Sequence, residues 1–295
     1  MSCVKLIYIN ALKNLLCSVR TYVYSTAVLV GMAVITAVYN VGKGIPSTEI
    51  GLMYLTLPMF CLFPLVTAET LSGDNKNGVV RFYLSAGAGA VEAVIGYQLA
   101  VCSFLLLPVL FMLTLTVIMS FFTGTVLLSS LVSVAGFALV SIAAMSALTV
   151  ISAACERKLT AYVASYVAVV LFTVFGGIHE NIQMSKMAGA SVCVAVSIIP
   201  AIICYVIGRN KWLSVSVFAV LGTVTALVCA TSEQNSVILA KALLNFFIPN
   251  TAESGFYFGI FDLRSVLSLL LFTVTCTAVG VFVIKSRTEG YGEGD

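Results

Sequence analysis

Charged residues in this chain fall in short clusters, and between them run stretches with no Asp, Glu, Lys or Arg: 21–42, 50–68, 93–155, 159–178, 187–208, 212–232 and 265–284. About 20 apolar residues, rising roughly 1.5 Å each, cross the ~30 Å hydrocarbon core of a bilayer. The run 93–155 is too long for one helix and is expected to fold back at Phe121-Phe122-Thr123-Gly124-Thr125. The pattern therefore predicts eight helical spans: 22–40, 51–68, 97–120, 127–153, 160–178, 191–208, 212–230 and 266–284. The fold class is all-α, a polytopic helical membrane protein.

Ahead of the first span, residues 1–21 carry Val4, Ile7, Ala11, Leu12, Leu15 and Val19 at helical spacing, while Asn10, Lys13, Asn14 and Arg20 stay polar. This spacing predicts an amphipathic helix lying in the inner interface. Residues 22–285 read as one transmembrane domain and residues 286–295, ending GYGEGD, as a tail. Segment 231–265 is mostly apolar but broken by Pro249, Asn250 and Gly255, so none of its parts is long enough to cross. It is expected to be re-entrant or interfacial, where its backbone is buried or wet.

Composition agrees with a life in lipid. Hydrophobic residues make up 60% and charged residues 9%, with mean hydropathy +1.10, against about 25% charged in soluble domains. Basic residues stay on the cytoplasmic side of a membrane. With the N-terminus inside, 11 of the 15 basic residues fall on inner segments; only Lys43, Lys186, Lys241 and Arg264 fall outside. Both termini and the segment 69–92 are then expected in the cytoplasm, with the chain in the plasma (inner) membrane. The net charge of +3 follows from this bias and calls for no nucleic-acid partner. Basic residues run through positions 5–20 and no cleavage site follows the first apolar run, so a cleaved signal peptide is not expected. The nine cysteines are scattered without a C-x-x-C pair, and most read as small apolar residues within spans.

One charged island interrupts the apolar middle, from Glu69 to Glu92, with Asp74, Lys76 and Arg81 between them. It reads as a docking surface for a soluble partner. No nucleotide motif accompanies it. Gly42-Lys43-Gly44 lacks the spacing and the Ser or Thr of a P-loop, and Gly87-Ala88-Gly89 is followed by Glu92 where a dinucleotide motif needs its third glycine. The single histidine, His179, sits beside Glu180 in an expected outer loop, and the two make no metal site or catalytic set. No ionisable residue is expected deep in a span, where ion-coupled carriers place their relay groups. Power for transport is therefore expected from another polypeptide.

The island also carries an ordered motif: Glu69, Gly78, Leu84-Ser85, Glu92 and Gly96, spaced E-x8-G-x5-LS-x6-E-x3-G. It resembles the first cytoplasmic loop of permease subunits of ABC exporters of the drug, polysaccharide and gliding-motility group. The C-terminal GFYFGIFDLRSVLSLLLFTVTCTAVGVFVIKSR, with Gly259, Asp262 and Arg264, resembles the ending of the gliding-motility-associated branch, and ALKNLLCSVRTYVYS resembles that group's elbow helix. The chain departs from the group's pattern at Ala86-Gly87, Tyr97 and Asn14, where relatives often carry Pro, a basic residue and an acid.

The resemblance implies a six-span core plus an inserted hairpin over 191–230. It implies two permease subunits, as a homo- or heterodimer, seated on two cytoplasmic ATPase subunits that bind ATP and Mg; this chain itself carries no cofactor. Loop 69–96 would couple to the ATPase, with a coupling helix around 86–95 and Glu69, Gly78, Arg81, Ser85, Glu92 and Gly96 as its residues. Glu69 and Glu92 are the first candidates for transmission, with Arg81 as an internal partner. Spans one, two and five would move on ATP-driven closure. Gly259, Asp262 and Arg264 would belong to an outer gate or structural motif, with room for an auxiliary membrane-anchored extracytoplasmic protein. From the residues alone, Asp262 also reads as a cap of the last helix and Arg264 as a snorkelling side chain. Two other classes stay open: a stand-alone secondary carrier, and a membrane scaffold for a partner complex.

Overall fold

The computed structural model describes residues 3–42, 48–76, 78–123, 127–155, 157–181, 254–257 and 259–289, with isolated positions between 181 and 254. Every element among them is a helix. In chain order these are α1 (Cys3–Leu16), α2 (Val19–Ile35), a π-helical segment (Thr36–Gly42), α3 (Thr48–Lys76), α4 (Val79–Ser85), α5 (Ala90–Thr123), α6 (Leu127–Ala154), α7 (Lys158–Asn181), α8 (Ser254–Tyr257) and α9 (Leu263–Glu289). Residues 1–171 and 252–295 form one compact unit, and 172–251 form a second. The predicted spans 191–208 and 212–230, the inserted hairpin they would make, and residues 231–248 and 290–295 lie outside the described helices.

Among the described residues, four helical stretches are long and apolar enough to cross a membrane: Val19–Val38, Ala90–Phe122, Leu128–Ala154 and Leu263–Ser286. The chain is thus a multi-pass helical membrane protein. These stretches lie on the predicted spans 22–40, 97–120, 127–153 and 266–284, and the fold-back falls between α5 and α6 as expected. The helices overrun the expected boundaries, however. A charge marks where hydrocarbon ends, whereas the i→i−4 ladder continues into water at no cost. So α3 runs on to Lys76 and α5 starts at Ala90, shrinking the expected loop 69–96 to a few residues around α4. Likewise α7 continues through Asn181, which puts His179 and Glu180 in its last turn instead of a loop, and α9 extends past the expected tail boundary to Glu289.

In the first unit, α6 is the hub, packed on α3, α5, α8 and α9. Its sequence explains this. Ala143, Ala144, Ser146 and Ser152 are small, so neighbouring backbones approach closely, as membrane helices require when hydrophobicity alone drives no association. Phe137, Met145 and Leu148 fill the remaining core space. The Ser152 hydroxyl donates to the Ala68 carbonyl at 2.9 Å and accepts the Ser72 N–H at 3.1 Å, inserting into one rung of the α3 ladder. α1 is a separate helix: the chain turns extended at Ser18 (φ −85°, ψ 127°) before α2 begins. Ile7, Ala11 and Leu15 are buried as the spacing predicts, but Val19 belongs to α2 and is 76% exposed.

Candidate functional site

The last turns of α3 carry the polar end of the bundle. Glu69 and Gly73 are four residues apart and so lie on one helix face. Gly73 leaves a track for the Lys158 side chain from the start of α7: a Cβ there would sit 3.2 Å from Lys158 Cε. Lys158 Nζ then reaches Glu69 Oε1 at 3.3 Å, and Arg20 from the start of α2 pairs with the same oxygen. Arg20 also donates to the Tyr162 hydroxyl of α7 and lies 5.0 Å from that ring's centroid. One carboxylate thereby ties α2, α3 and α7 together. Among the described contacts, Arg20 and Lys158 are the cations on Glu69, and Arg81 lies exposed on α4. Both cations are about half exposed (side chains 48% and 49%), so each bridge contributes about 1 kcal/mol or less.

One turn further, the Asp74 carboxylate accepts the Tyr97 hydroxyl of α5. Burial raises the Asp74 carboxyl above its ordinary value; the Tyr97 hydrogen bond and the charge on Lys158 oppose this. Between α1, α3, α5 and Lys158 opens a cavity of about 270 Å³. Asn14, Glu69, Thr70, Asp74, Tyr97 and Lys158 form its polar side, and Ala11, Leu15, Leu65 and Val66 its apolar side.

The helix expected around 86–95 is not a separate element. Residues 86–89 are a turn and 90–95 are the first turns of α5, while the short separate helix is α4, Val79–Ser85. Its ends are set by Gly78, which enters at φ +74°, and Gly87, which closes it at φ +92°. Beyond its C-terminus the Gly87 N–H donates to Leu84 O and the Ala88 N–H to Tyr83 O, a Schellman closure that meets two orphan carbonyls. Val80 and Tyr83 are buried, the Tyr83 hydroxyl accepting from Asn10 of α1, while Arg81, Phe82 and Ser85 face outward. Ser85 turns its hydroxyl back to the Phe82 carbonyl at 2.9 Å.

Glu92 is the N3 residue of α5, and its carboxylate accepts the Gly89 N–H at 3.0 Å, the returning half of a capping box. Gly96 is where α1 crosses α5: a Cβ would fall 2.9 Å from Ile7 Cγ2. Both therefore have local structural work beside any coupling role.

Gly259, Asp262 and Arg264 gather at the other end of α6, roughly 30 Å away along that helix. Phe256 of α8 is buried against Gly136, and Gly259, at φ +66°, lies flat on Ser129. Asp262 caps α9 as its residue type suggested: it accepts the Arg264 N–H at 3.0 Å and the Ser265 N–H at 3.3 Å, and the Ser265 hydroxyl at 2.7 Å. The Ser265 hydroxyl first, then the Arg264 N–H, hold its carboxyl below the ordinary range. Arg264 is exposed.

Sequence reasoning missed Arg20, Lys158 and Tyr162. A signal existed, since Arg20 and Lys158 begin spans one and five on the side that charge bias assigns to Glu69. Comparison with family models, curated proteins and solved structures returns no match for this chain.

Proposed function

We propose that this chain is the membrane-spanning permease subunit of an ATP-driven ABC exporter, coupling to a separate cytoplasmic ATPase through the region 69–96. In this reading it has eight spans, α1 is an interfacial elbow helix, both termini are cytoplasmic in the plasma membrane, and a second permease subunit completes the path. The observation that supports it best is α4. A seven-residue helix, delimited by two left-handed glycines, stands between two long helices inside the motif-bearing island and turns Arg81 and Phe82 outward. Such an element can move as a unit and offers a partner an aromatic and a cation, both common anchors of protein interfaces.

Further support comes from Glu69, which joins α2, α3 and α7, the helices this reading moves. Differential contact of the ATPase dimer with two arrangements of those helices is what would let ATP bias them.

Purification of the full chain with its native partners, followed by mass spectrometry, tests the reading: an ABC ATPase is expected to co-purify. A chain that transports alone, or that carries only non-ATPase partners, would overturn it. Phe82→Ala, at a position 69% exposed, is expected to weaken ATPase association about tenfold while leaving the melting temperature unchanged.

A further inference from the structure

The cavity beneath α1 has a composition that a mere packing defect lacks. Its polar side places the carboxylates of Glu69 and Asp74 with the ammonium of Lys158 around one space, and its other side is Ala11, Leu15, Leu65 and Val66. Glu69 is already engaged by Arg20 and Lys158. Asp74 is different: it is held by the neutral Tyr97 hydroxyl, and Lys158 leans toward Glu69.

Among the described contacts Asp74 thus has a hydroxyl partner and no direct ion pair, and Thr70, Asn14 and Lys158 line the same cavity. That set rewards a group rich in N–H donors beside an anionic group. It disfavours a quaternary ammonium, which makes no N–H bond and is normally held by several aromatic rings; among the described residues Tyr97 is the one aromatic side chain lining this space. The apolar wall, at the polar ends of apolar helices, adds a place for hydrocarbon. We infer that this cavity binds the headgroup of a primary-ammonium amphiphile, its ammonium on Asp74 and Asn14, its phosphate toward Lys158 and its chains along Leu15 and Leu65. The inference rests on the cavity alone and stands or falls independently of the exporter reading.

The test uses the full-length protein in detergent with tail-labelled phosphatidylethanolamine, tail-labelled phosphatidylcholine of the same chains, and soluble phosphoethanolamine as competitor. Saturable binding is expected for the ethanolamine lipid, about tenfold tighter than for the choline lipid, as befits charge-assisted hydrogen bonds. Asp74→Asn is expected to erase that preference. Asn14 is exposed, so Asn14→Lys folds normally and sets a cation at the cavity edge; it should reduce binding of the ethanolamine lipid about tenfold or more. Equal binding of the two lipids, or a preference that survives both variants, overturns the inference. Soluble phosphoethanolamine displacing the lipid at matched concentration would overturn the amphiphile assignment, since the apolar wall would then contribute nothing.

Discussion

Glu69 illustrates how far a single residue can be read. Its sign and its isolation in an apolar chain are visible in the sequence, and so is its position at the C-terminal end of the second predicted span. Its partners are not, because Arg20 and Lys158 come from helices whose adjacency only packing decides. The bridge geometry makes a definite prediction: Glu69→Gln leaves two cations close together without their shared anion, lowering stability by about 1 kcal/mol. A double-mutant cycle with Lys158→Met, followed by thermal melting, should return a coupling that shrinks at 1 M salt, where screening acts within ~3 Å. No coupling would mean that the bridge holds nothing. Asp74 behaves oppositely. Its folded carboxyl is raised above the unfolded value of about 3.9. A raised group adds stability only below the unfolded pKa and loses it as pH rises through the folded one. At neutral pH the charged form is therefore a cost, and Asp74→Asn should raise the melting temperature there. The gain should shrink as pH falls toward the unfolded value, because a raised carboxyl takes up its proton first and is then nearly isosteric with the amide. A pH-independent gain would refute the account.

At the scale of elements, helix existence was legible and helix ends were not. Among the described residues the charge-free runs locate four apolar helices, because a bilayer excludes charge, and the run 93–155 divides between α5 and α6. Helix α4 was missed in register for a different reason: a loop of polar and apolar residues admits several short helices, and only backbone handedness selects one. The glycines at 78 and 87, with Val80 and Tyr83 three residues apart between them, carried that information. Handedness and crowding can be separated by experiment. Gly78 and Gly259 both adopt positive φ, but a Cβ on Gly78 meets nothing within 4 Å, whereas on Gly259 it would lie 2.4 Å from Ser129 Cβ and 2.9 Å from its Cα. Gly78→Ala should thus cost only the left-handed penalty, about 1–2 kcal/mol. Gly259→Ala must also push α8 and its turn off α6, and should cost distinctly more in the same melting assay. Equal losses would show that the contact at Ser129 relaxes freely.

At the scale of the molecule, the expected topology follows from where basic residues stop. Placing the N-terminus inside puts Arg81 in the cytoplasm and Arg264 outside, on opposite sides of the membrane. The α6 contacts agree in sense, since Ser152 meets α3 near Glu69 while Ser129 and Ser133 meet the segment before α9. Two single-cysteine variants, made after replacing the native cysteines with serine or alanine, make this decidable. Arg81→Cys and Arg264→Cys both replace exposed side chains, so labelling reports sidedness and not burial. In intact cells a membrane-impermeant maleimide should label the second and spare the first; in inside-out vesicles the order should reverse. Labelling of both from one side would break the assignment of ends and, with it, the cytoplasmic docking role given to α4. Reversal of the whole pattern would leave the helical arrangement intact but set α4 facing away from any ATPase. The charge bias favours the expected sense strongly, because basic residues at short loops resist translocation while acidic ones hardly matter.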